Sequence, residues 1–206
     1  MKVSIIIPYK TDRGYLSEAI KSAEFQTYDG EIEIIESKSD HQVGYNINRG
    51  FEISTGDIIR FLCDDDKLNP TSIADSVKFF EQNPEIDFFH ANAFNMNLKG
   101  VIISTHKARH TPKTADELAR KNWIHGGTVV YRRKCFEEQT WDESLWTGEE
   151  YEYNMRLLAN GFKLGYLDAV NYCYRSHPTQ KSGRQNRNRA RRIEAIKQIK
   201  NKYRNE

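Results

Sequence analysis

Three consecutive carboxylates, Asp64, Asp65 and Asp66, directly follow a hydrophobic segment of the chain. That segment, residues 58–62, is predicted to be a buried strand because it is apolar and lies between a glycine and a proline. Adjacent carboxylates repel one another unless a cation lies among them, and hard divalent ions such as Mg²⁺ and Mn²⁺ prefer oxygen ligands. The triplet therefore predicts a divalent metal site, and a solvated acidic turn is the alternative.

Two adjacent glutamates, Glu149 and Glu150, precede a helical pattern. Tyr151, Met155 and Leu158 recur at helical spacing, so a helix is predicted to begin at the glycine just before the pair and to end at a later glycine. The helix macrodipole favours ionised carboxylates in the first turn, and such a carboxylate beside a cleft can accept a proton from a hydroxyl group. We predict Glu150 as a general base with Glu149 as its substitute; acidic residues that only stabilise the helix are the alternative.

Strand and helix patterns alternate ahead of the triplet. Residues 3–8 are almost entirely apolar, as in a central strand covered on both faces, and residues 32–35 predict a second strand. Amphipathic helices are predicted over residues 16–23 and 44–53, and the strand at residues 58–62 follows. This order predicts an α/β fold with parallel strands and right-handed crossovers.

Polar residues follow each of the three predicted strands. Tyr9, Glu36 and the aspartate triplet lie just past their carboxyl ends. Because ligands of such sheets bind outside the carboxyl ends of the strands, we expect these residues to meet in one cleft.

Several segments, taken in order, resemble a family 2 glycosyltransferase. In the first half these are SIIIPYK, IEIIESKSD, the NRG of residues 48–50, and STGDIIRFLCDDDKLNP. In the second half, the segment WIHGGTVVYRRKCF resembles the glycine-containing acceptor-side segment of the family. The segment WDESLWTGEEYEYNMRLLANGFKLGYLDAVNYCYRSH resembles the family's catalytic helix and the strand that follows it. The resemblance covers residues 1–180 and implies a GT-A (Rossmann-like) single domain with a mostly parallel central sheet flanked by helices.

The resemblance implies a metal-dependent enzyme that moves a sugar from a nucleoside diphosphate sugar, with a UDP-sugar favoured, to a hydroxyl acceptor with inversion at the anomeric carbon. It implies that Mn²⁺ or Mg²⁺ is bound by Asp64, Asp65 and Asp66, with His177 as a further candidate because imidazole is an acceptable but softer ligand. A surface or structural role is the alternative for His177. The residues implied to contact the nucleotide sugar are Pro8, Tyr9, Glu36, Asn48, Asp64, Asp65, Gly126, Gly127 and Arg175.

The chain departs from the family pattern at several positions. The family's usual Asp-Asp is replaced by Glu36 and Ser37, an arginine by Ile47, and the first aspartate of the metal motif by Cys63. The usual Glu-Asp of the catalytic helix is a Glu-Glu pair, and the absence of a Gln-x-x-Arg-Trp signature argues for transfer of single residues. These departures leave an alternative open, which is a nucleotide-sugar or nucleic-acid binding protein without turnover.

Positive charge is concentrated at the C-terminus. The chain of 206 residues has a formal net charge of +2, whereas residues 181–206 carry ten Lys and Arg against two Glu. We predict a GT-A domain at residues 1–180 and a basic C-terminal helical tail at 181–206. The tail either packs Ile193, Ile196 and Ile199 on the domain, or contacts an anionic membrane surface near a lipid-linked acceptor, or binds nucleic acid. Nucleic acid is the less supported partner because the tail has a single aromatic residue.

Cysteine content and hydropathy indicate the compartment. Cys63, Cys135 and Cys173 form no C-x-x-C pair, so we expect neither a disulfide scaffold nor a zinc site. The N-terminus leads directly into a short strand pattern, and no apolar run approaches the ~20 residues that cross a bilayer. We therefore expect a cytoplasmic enzyme, with peripheral membrane contact as an alternative, and an acceptor that is either a glycan or lipid-linked.

Overall fold

The computed structural model describes residues 1–178, 180–181 and 188–204. Its first half alternates strands and helices as the sequence predicts. The elements are β1 (Val3–Tyr9), α1 (Leu16–Glu24), β2 (Ile32–Lys38), α2 (Val43–Ile53) and β3 (Ile58–Phe61).

The second half contains shorter elements followed by two longer helices. It begins with β4 (Lys67–Leu68), α3 (Ser72–Gln82), β5 (Phe88–Met96), β6 (Ile102–His106) and α4 (Ala115–Arg120). A 3₁₀ turn (Gly126–Thr128), β7 (Val130–Arg132), α5 (Lys134–Glu138), α6 (Glu149–Ala159), β8 (Leu164–Arg175) and α7 (Arg189–Tyr203) complete it.

One sheet in the order β2-β1-β3-β7-β5-β8-β4 runs through the molecule, and β6 pairs with β5 at its edge. The α/β class with a central sheet flanked by helices is confirmed. The sheet is mixed rather than mostly parallel, because β1 pairs in parallel with β2 and β3, and β5 with β8, whereas β7 lies antiparallel between β3 and β5. Apolar runs predict that a strand exists, but they do not fix the direction of its pairing.

Both faces of the sheet are covered by apolar side chains. Along β1, Ile5 and Ile7 belong to one core, and Ile6, between them, belongs to the core on the other face; all three are fully buried. Because successive side chains of a strand point to opposite faces, a strand buried on both faces is apolar at every position. This explains the almost continuous apolar run at residues 3–8.

Strand β2 continues past its apolar segment. Ile7 pairs with Glu36, and Tyr9 with Lys38, so the parallel ladder extends to the last residue of β1. Tyr9 and Glu36 were expected just past the strand ends, and they instead lie within the last residues of the two strands. The reason is that backbone hydrogen bonds propagate a ladder whatever side chains it carries.

Helix α6 has the predicted boundaries. It follows Gly148, which has a φ of +75°, and it ends before Gly161, which has a φ of +83°. Such positive φ values favour glycine at both positions. The predicted apolar face is buried, with Tyr151 5 %, Met155 0 % and Leu158 8 % exposed.

Helix α7 packs against the beginning of α6. Ile199 is 2 % exposed, and a Cβ on Gly148 would overlap the side chain of Ile196. The predicted packing is therefore confirmed for Ile196 and Ile199, but it is wrong for Ile193, which is 55 % exposed. The face of α7 that meets the domain is narrow, so only two of the three isoleucines reach it. A division of the chain at residue 180 stays a prediction.

None of the described helices combines the length and the apolar composition that are needed to cross a bilayer.

The packing of α7 predicts unequal effects of two isoleucine truncations. Ile199→Ala should lower the free energy of unfolding by about 2–4 kcal/mol, because it leaves a cavity among buried side chains. Ile193→Ala, the matched control in the same helix, should change it by less than about 0.5 kcal/mol. Urea denaturation followed by circular dichroism measures both values, and equal losses would contradict the packing described here.

Candidate active site

The aspartate triplet is held by a cation from the loop after β1. Arg13 Nη2 lies 2.7 Å from Asp64 Oδ1 and 2.8 Å from Asp65 Oδ2. Burial raises the pKa of Asp64, and the hydrogen bond from Arg13 opposes this effect. Arg13 thus neutralises part of the repulsion that three adjacent carboxylates create.

Asp66 is the most deeply buried member of the triplet, with 3 % exposure. Its carboxylate accepts hydrogen bonds from the Tyr172 hydroxyl (2.7 Å) and from the backbone N–H of Arg175 (2.7 Å). Burial raises the pKa of Asp66 well above its ordinary value, and the charge of Asp65 raises it further. Across the described ranges, no cationic side chain forms an ion pair with Asp66. A buried carboxylate beside another carboxylate is a favourable place for an added cation.

The carboxylates of Asp65 and Asp66 fit a hard divalent ion. Their oxygens and the Cys63 sulfur lie within 4.8 Å of one another, so one ion can reach all three. Oxygen is the preferred ligand of Mg²⁺ and Mn²⁺, and sulfur is not. Asp64 lies outside this group, so the geometry favours Asp65 and Asp66 over Asp64 as metal ligands.

Two residues at the end of β8 contact the triplet. His177 Nε2 lies 2.9 Å from Asp65 Oδ2, and the His177 side chain is 1 % exposed. Arg175 donates from Nε to the carbonyl oxygen of Asp65 (2.8 Å) and from Nη2 to Glu18 Oε2 (2.9 Å). The structure therefore brings both predicted residues to the triplet, with the imidazole orienting one of the candidate metal-binding carboxylates.

The predicted nucleotide-contacting residues of β1 and β2 lie beside one another. The Tyr9 hydroxyl donates to Glu36 Oε2 over 3.2 Å, and Pro8 is buried opposite Ser37 in the ladder. These residues occupy the carboxyl ends of β1 and β2, and β1 is adjacent to β3, whose own carboxyl end leads into the triplet. The expectation that Tyr9, Glu36 and the triplet share one edge of the sheet agrees with this topology.

Asn48 points away from that edge. Its side-chain amide donates to the carbonyl oxygen of Trp141 (3.0 Å) and to Glu143 Oε1 (2.8 Å), so it ties α2 to the segment before α6. The structure does not group it with the other predicted nucleotide contacts. Asn46, two residues earlier, donates to the carbonyl oxygen of Tyr9 over 3.2 Å. Asn46 lies in the same helix as the NRG motif but is not part of it, and its side chain is the one that contacts the end of β1.

Glu150 lies against the glycine turn. A Cβ on Gly126 would overlap the Glu150 carboxylate, and a Cβ on Gly127 would overlap the ring of Tyr172. The two glycines therefore allow close approach to protein groups on both sides of the 3₁₀ turn. Because Tyr172 also donates to Asp66, the turn connects the candidate metal-binding carboxylates to the predicted base.

The two glutamates of α6 have different environments. Glu150 accepts a hydrogen bond from the side-chain amide of Asn154, whose Oδ1 accepts one from the Tyr131 hydroxyl over 2.8 Å. Burial raises the pKa of Glu150 to about 8, with a further contribution from the charge of Glu149. Glu149 instead pairs with Lys181 over 2.7 Å. A carboxylate with a raised pKa and no ion pair within the described residues is the better proton acceptor of the two.

Three residues of the site were missed by the sequence analysis: Arg13, Tyr172 and Asn154. Arg13 lies in a loop without a distinctive pattern, and Tyr172 reads as an ordinary strand residue. Only Asn154 had a usable signal, because it stands one helical turn after Glu150 and therefore on the same face of α6.

The fold resembles solved structures of TarS from S. aureus. One TarS structure matches with a TM-score of 0.63 and 16 % identity over 86 % of this chain and 37 % of that chain. TarS 1–349 in complex with UDP-GlcNAc matches with a TM-score of 0.63 and 16 % identity over 87 % of this chain and 60 % of that one. At this level of identity the likeness establishes the GT-A fold.

Two relatives are similar in sequence. An uncharacterized glycosyltransferase of Methanocaldococcus jannaschii is 24 % identical over 155 residues, which are 74 % of this chain and 53 % of the relative. An uncharacterized glycosyltransferase of Rickettsia conorii is 28 % identical over 174 residues, which are 72 % of this chain and 29 % of the relative. The chain thus spans about half of the first relative's length and less than a third of the second's.

The sequence model of the family described as "Glycosyltransferase like family 2" matches residues 3–195. This range contains the aspartate triplet, the glycine turn, the two glutamates of α6 and the beginning of α7. The match extends over most of the chain and confirms the resemblance, so the chain belongs to glycosyltransferase family 2.

Proposed function

We propose that the protein transfers a sugar from a nucleoside diphosphate sugar to a hydroxyl acceptor, with inversion at the anomeric carbon. The observation that carries the proposal is that a candidate metal site and a candidate base lie on the two sides of one glycine turn. Asp65 and Asp66 lie on one side, linked through Tyr172, and Glu150 lies on the other. A UDP-sugar is the favoured donor, because the structurally similar TarS was solved with UDP and with UDP-GlcNAc.

Asp65 and Asp66 would hold Mn²⁺ or Mg²⁺, and His177 would orient Asp65. Asp64 lies next to this pair in the chain. When bound, such an ion neutralises the negative charge of a diphosphate leaving group. Arg13 and Arg175 supply fixed positive charge beside the same carboxylates. A guanidinium group binds phosphate with the same forked geometry that it uses for carboxylate, so Arg13 is suited to contact the diphosphate.

The remaining predicted donor contacts are assigned by position. Tyr9, Pro8 and Glu36 are proposed to face the nucleoside, because they occupy the carboxyl ends of β1 and β2. Gly126 and Gly127 are proposed to contact the sugar of the donor, between its diphosphate and Glu150. Asn48 supports this region indirectly through the loop that it fixes.

Glu150 is proposed to accept the proton of the acceptor hydroxyl during a direct displacement. Asn154 and Tyr131 fix one of its oxygens, and the absence of a side chain at Gly126 leaves room at the other. A positioned base of this kind lowers the barrier by removing the proton as the new bond forms. Glu149 is the substitute candidate, although one of its oxygens is paired with Lys181.

A second reading, a nucleotide-sugar or nucleic-acid binding protein without turnover, predicts donor binding but no reaction. Incubation of the full chain with Mn²⁺ and a panel of UDP-sugars separates the two readings. Release of UDP above the rate without protein, with or without a glycan or lipid-linked acceptor, supports the transferase. Binding without any release of UDP supports the second reading and overturns the proposed function.

The metal site predicts that two neighbouring aspartates behave differently. Asp66→Asn keeps the size of the side chain and one of its two acceptor oxygens but removes its charge. It should weaken UDP binding in the presence of Mn²⁺ by roughly 10- to 100-fold, the range seen even for partners one step from a metal. Asp64→Asn is the matched control and should lose less. Isothermal calorimetry with Mn²⁺ and with EDTA measures both; a larger Mn²⁺-dependent loss for Asp64→Asn would transfer the ligand role to Asp64.

The base assignment predicts that Glu150→Gln lowers turnover by roughly 10²- to 10⁴-fold, which is the usual contribution of one positioned proton acceptor. UDP affinity should change little, since the residue lies on the acceptor side of the glycine turn. Glu149→Gln removes a carboxylate from the adjacent position and should keep most of the activity. Steady-state kinetics of the three proteins at saturating donor provides the test, and the reverse order of effects would assign the role to Glu149.

The raised pKa of Glu150, about 8, predicts a pH profile. Below that pH the carboxylate is protonated and accepts no proton, so kcat/KM should rise about tenfold per pH unit and level off above about pH 8. Folding has the opposite dependence: a raised carboxyl pKa stabilises the fold at low pH, and this contribution is lost as the pH rises toward 8. Rates and urea midpoints measured from pH 5 to 9 test both slopes, and Glu150→Gln should flatten them. A flat wild-type rate profile would argue against Glu150 as the base.

A further inference from the structure

The hairpin formed by β5 and β6 has an unusual concentration of exposed apolar side chains. Leu98, Val101, Ile102 and Ile103 are 48–60 % exposed, and they make up four of the nine large hydrophobic residues that are exposed in the described part of the chain. They lie within six consecutive positions, whereas Met96 at the base of the hairpin is fully buried. Contiguous exposed apolar surface of this kind indicates a contact site.

Both faces of strand β6 are free. Ile102 and Ile103 are 51 % and 60 % exposed and lie where the ladder with β5 shifts register. Residues 104–106, the regular part of the strand, alternate between its two faces, and all three side chains are exposed. All five residues of β6 are exposed, and among the described residues β6 pairs only with β5. A protein partner packed on one face would leave the other face in water, whereas the interior of a lipid leaflet covers both.

The charged side chains of the chain segment that contains the hairpin are all cationic. From residue 88 to residue 115 the chain contains no aspartate or glutamate, and it contains Lys99, Lys107, Arg109 and Lys113. Lys107 pairs with Asp168 (3.3 Å), whereas Lys99 and Arg109 form no ion pair within the described residues. Cationic side chains beside an apolar tip are complementary to a surface of anionic lipids. They disfavour pairing of β6 with a second copy, since the same cations would then face one another.

The hairpin is also fixed to the active site. Arg175 Nη1 donates to the carbonyl oxygen of Leu98 (2.8 Å) at the turn, and its Nε donates to the carbonyl oxygen of Asp65 (2.8 Å). The Asn97 side chain accepts hydrogen bonds from the backbone of Lys99 (3.0 Å) and Val101 (3.1 Å), which holds the turn in one shape. Arg175 therefore connects the hairpin turn to the backbone of the aspartate triplet.

We propose that the β5–β6 hairpin docks the protein on an anionic lipid surface, with its apolar tip inserted and its cations at the headgroups. Docking at this position brings the catalytic cleft to the membrane and favours an acceptor attached to a lipid. This last step rests on the proposed function, whereas docking itself does not. The exposed cations of α7 are the competing surface for the same contact.

The test uses the full chain and sedimentation with vesicles of phosphatidylcholine, with or without phosphatidylglycerol. The protein should bind the vesicles that contain phosphatidylglycerol and should be released by salt. Ile102→Ser together with Ile103→Ser should weaken this binding at least about tenfold, because two exposed apolar side chains no longer leave water. The matched control is Phe25→Ser with Ile53→Ser, which alters side chains that are 74 % and 68 % exposed elsewhere, and it should bind as the wild type does.

A second pair of variants separates the two cationic surfaces. Lys99→Gln with Arg109→Gln should weaken binding to phosphatidylglycerol vesicles several-fold, and Arg189→Gln with Lys197→Gln in α7 should not. The proposal is overturned if the wild type binds neither type of vesicle, if only the α7 variants lose binding, or if the serine variants instead convert a dimer into a monomer in light scattering. Because no transfer reaction is measured, a failure of docking is distinguished from a failure of the proposed function.

Discussion

A carboxylate buried at the end of a strand imposes the main constraint on this molecule. Asp66 lies next to two further aspartates, and its burial disfavours the charged form. The surrounding structure supplies hydrogen-bond donors to this carboxylate, which are the Tyr172 hydroxyl and the backbone N–H of Arg175. The Arg175 side chain also donates to the carbonyl oxygen of the neighbouring Asp65. These groups reduce the electrostatic cost of burying the ionised carboxylate but do not remove it, because no cationic side chain forms an ion pair with Asp66 within the described residues. A site arranged in this way would gain stability from a bound cation.

Tyr172 connects this constraint to the rest of the site. Its hydroxyl donates to Asp66, while its ring packs against the backbone of Gly127 and lies 5.2 Å from the guanidinium carbon of Arg60. Arg60 is fully buried, donates to the carbonyl oxygen of Val129 (2.8 Å), and has its pKa lowered to about 10 by burial. The ring of Tyr172 thus lies between the positive charge of Arg60 and the carboxylate of Asp66, and these opposite charges attract each other. The same tyrosine therefore positions the glycine turn against Glu150 and supports the carboxylates on the other side.

The parts of the site that lie within one element could be predicted from the sequence. The strand before the triplet, the two glutamates in the first turn of α6, and the glycines that bound that helix depend on local periodicity and backbone preference. Arg13 and Tyr172 could not be predicted, because their roles depend on contacts between residues about 50 and more than 100 positions apart in the chain. The hydrogen bonds of Asn48 could not be predicted for the same reason: its partners are Trp141 and Glu143, which the motif does not contain. Pairing direction in the sheet is likewise a property of distant segments.

The C-terminal helix illustrates how charge counted along a sequence differs from charge available to a partner. Arg192 donates to Thr147 over 3.2 Å, Arg191 lies over the Trp146 ring at 4.9 Å, and Lys181 pairs with Glu149. Part of the positive charge of this region therefore acts within the molecule, at the residues that precede and begin α6. Because Ile196 and Ile199 pack against Gly148 at the same point, the helix restrains the backbone from which Glu150 projects. A net charge of +8 over residues 181–206 was the strongest sequence signal for an anionic partner. The hairpin is the better candidate for that contact, because its Lys99 and Arg109 are exposed, form no ion pair within the described residues, and flank apolar side chains that no described part of the chain covers.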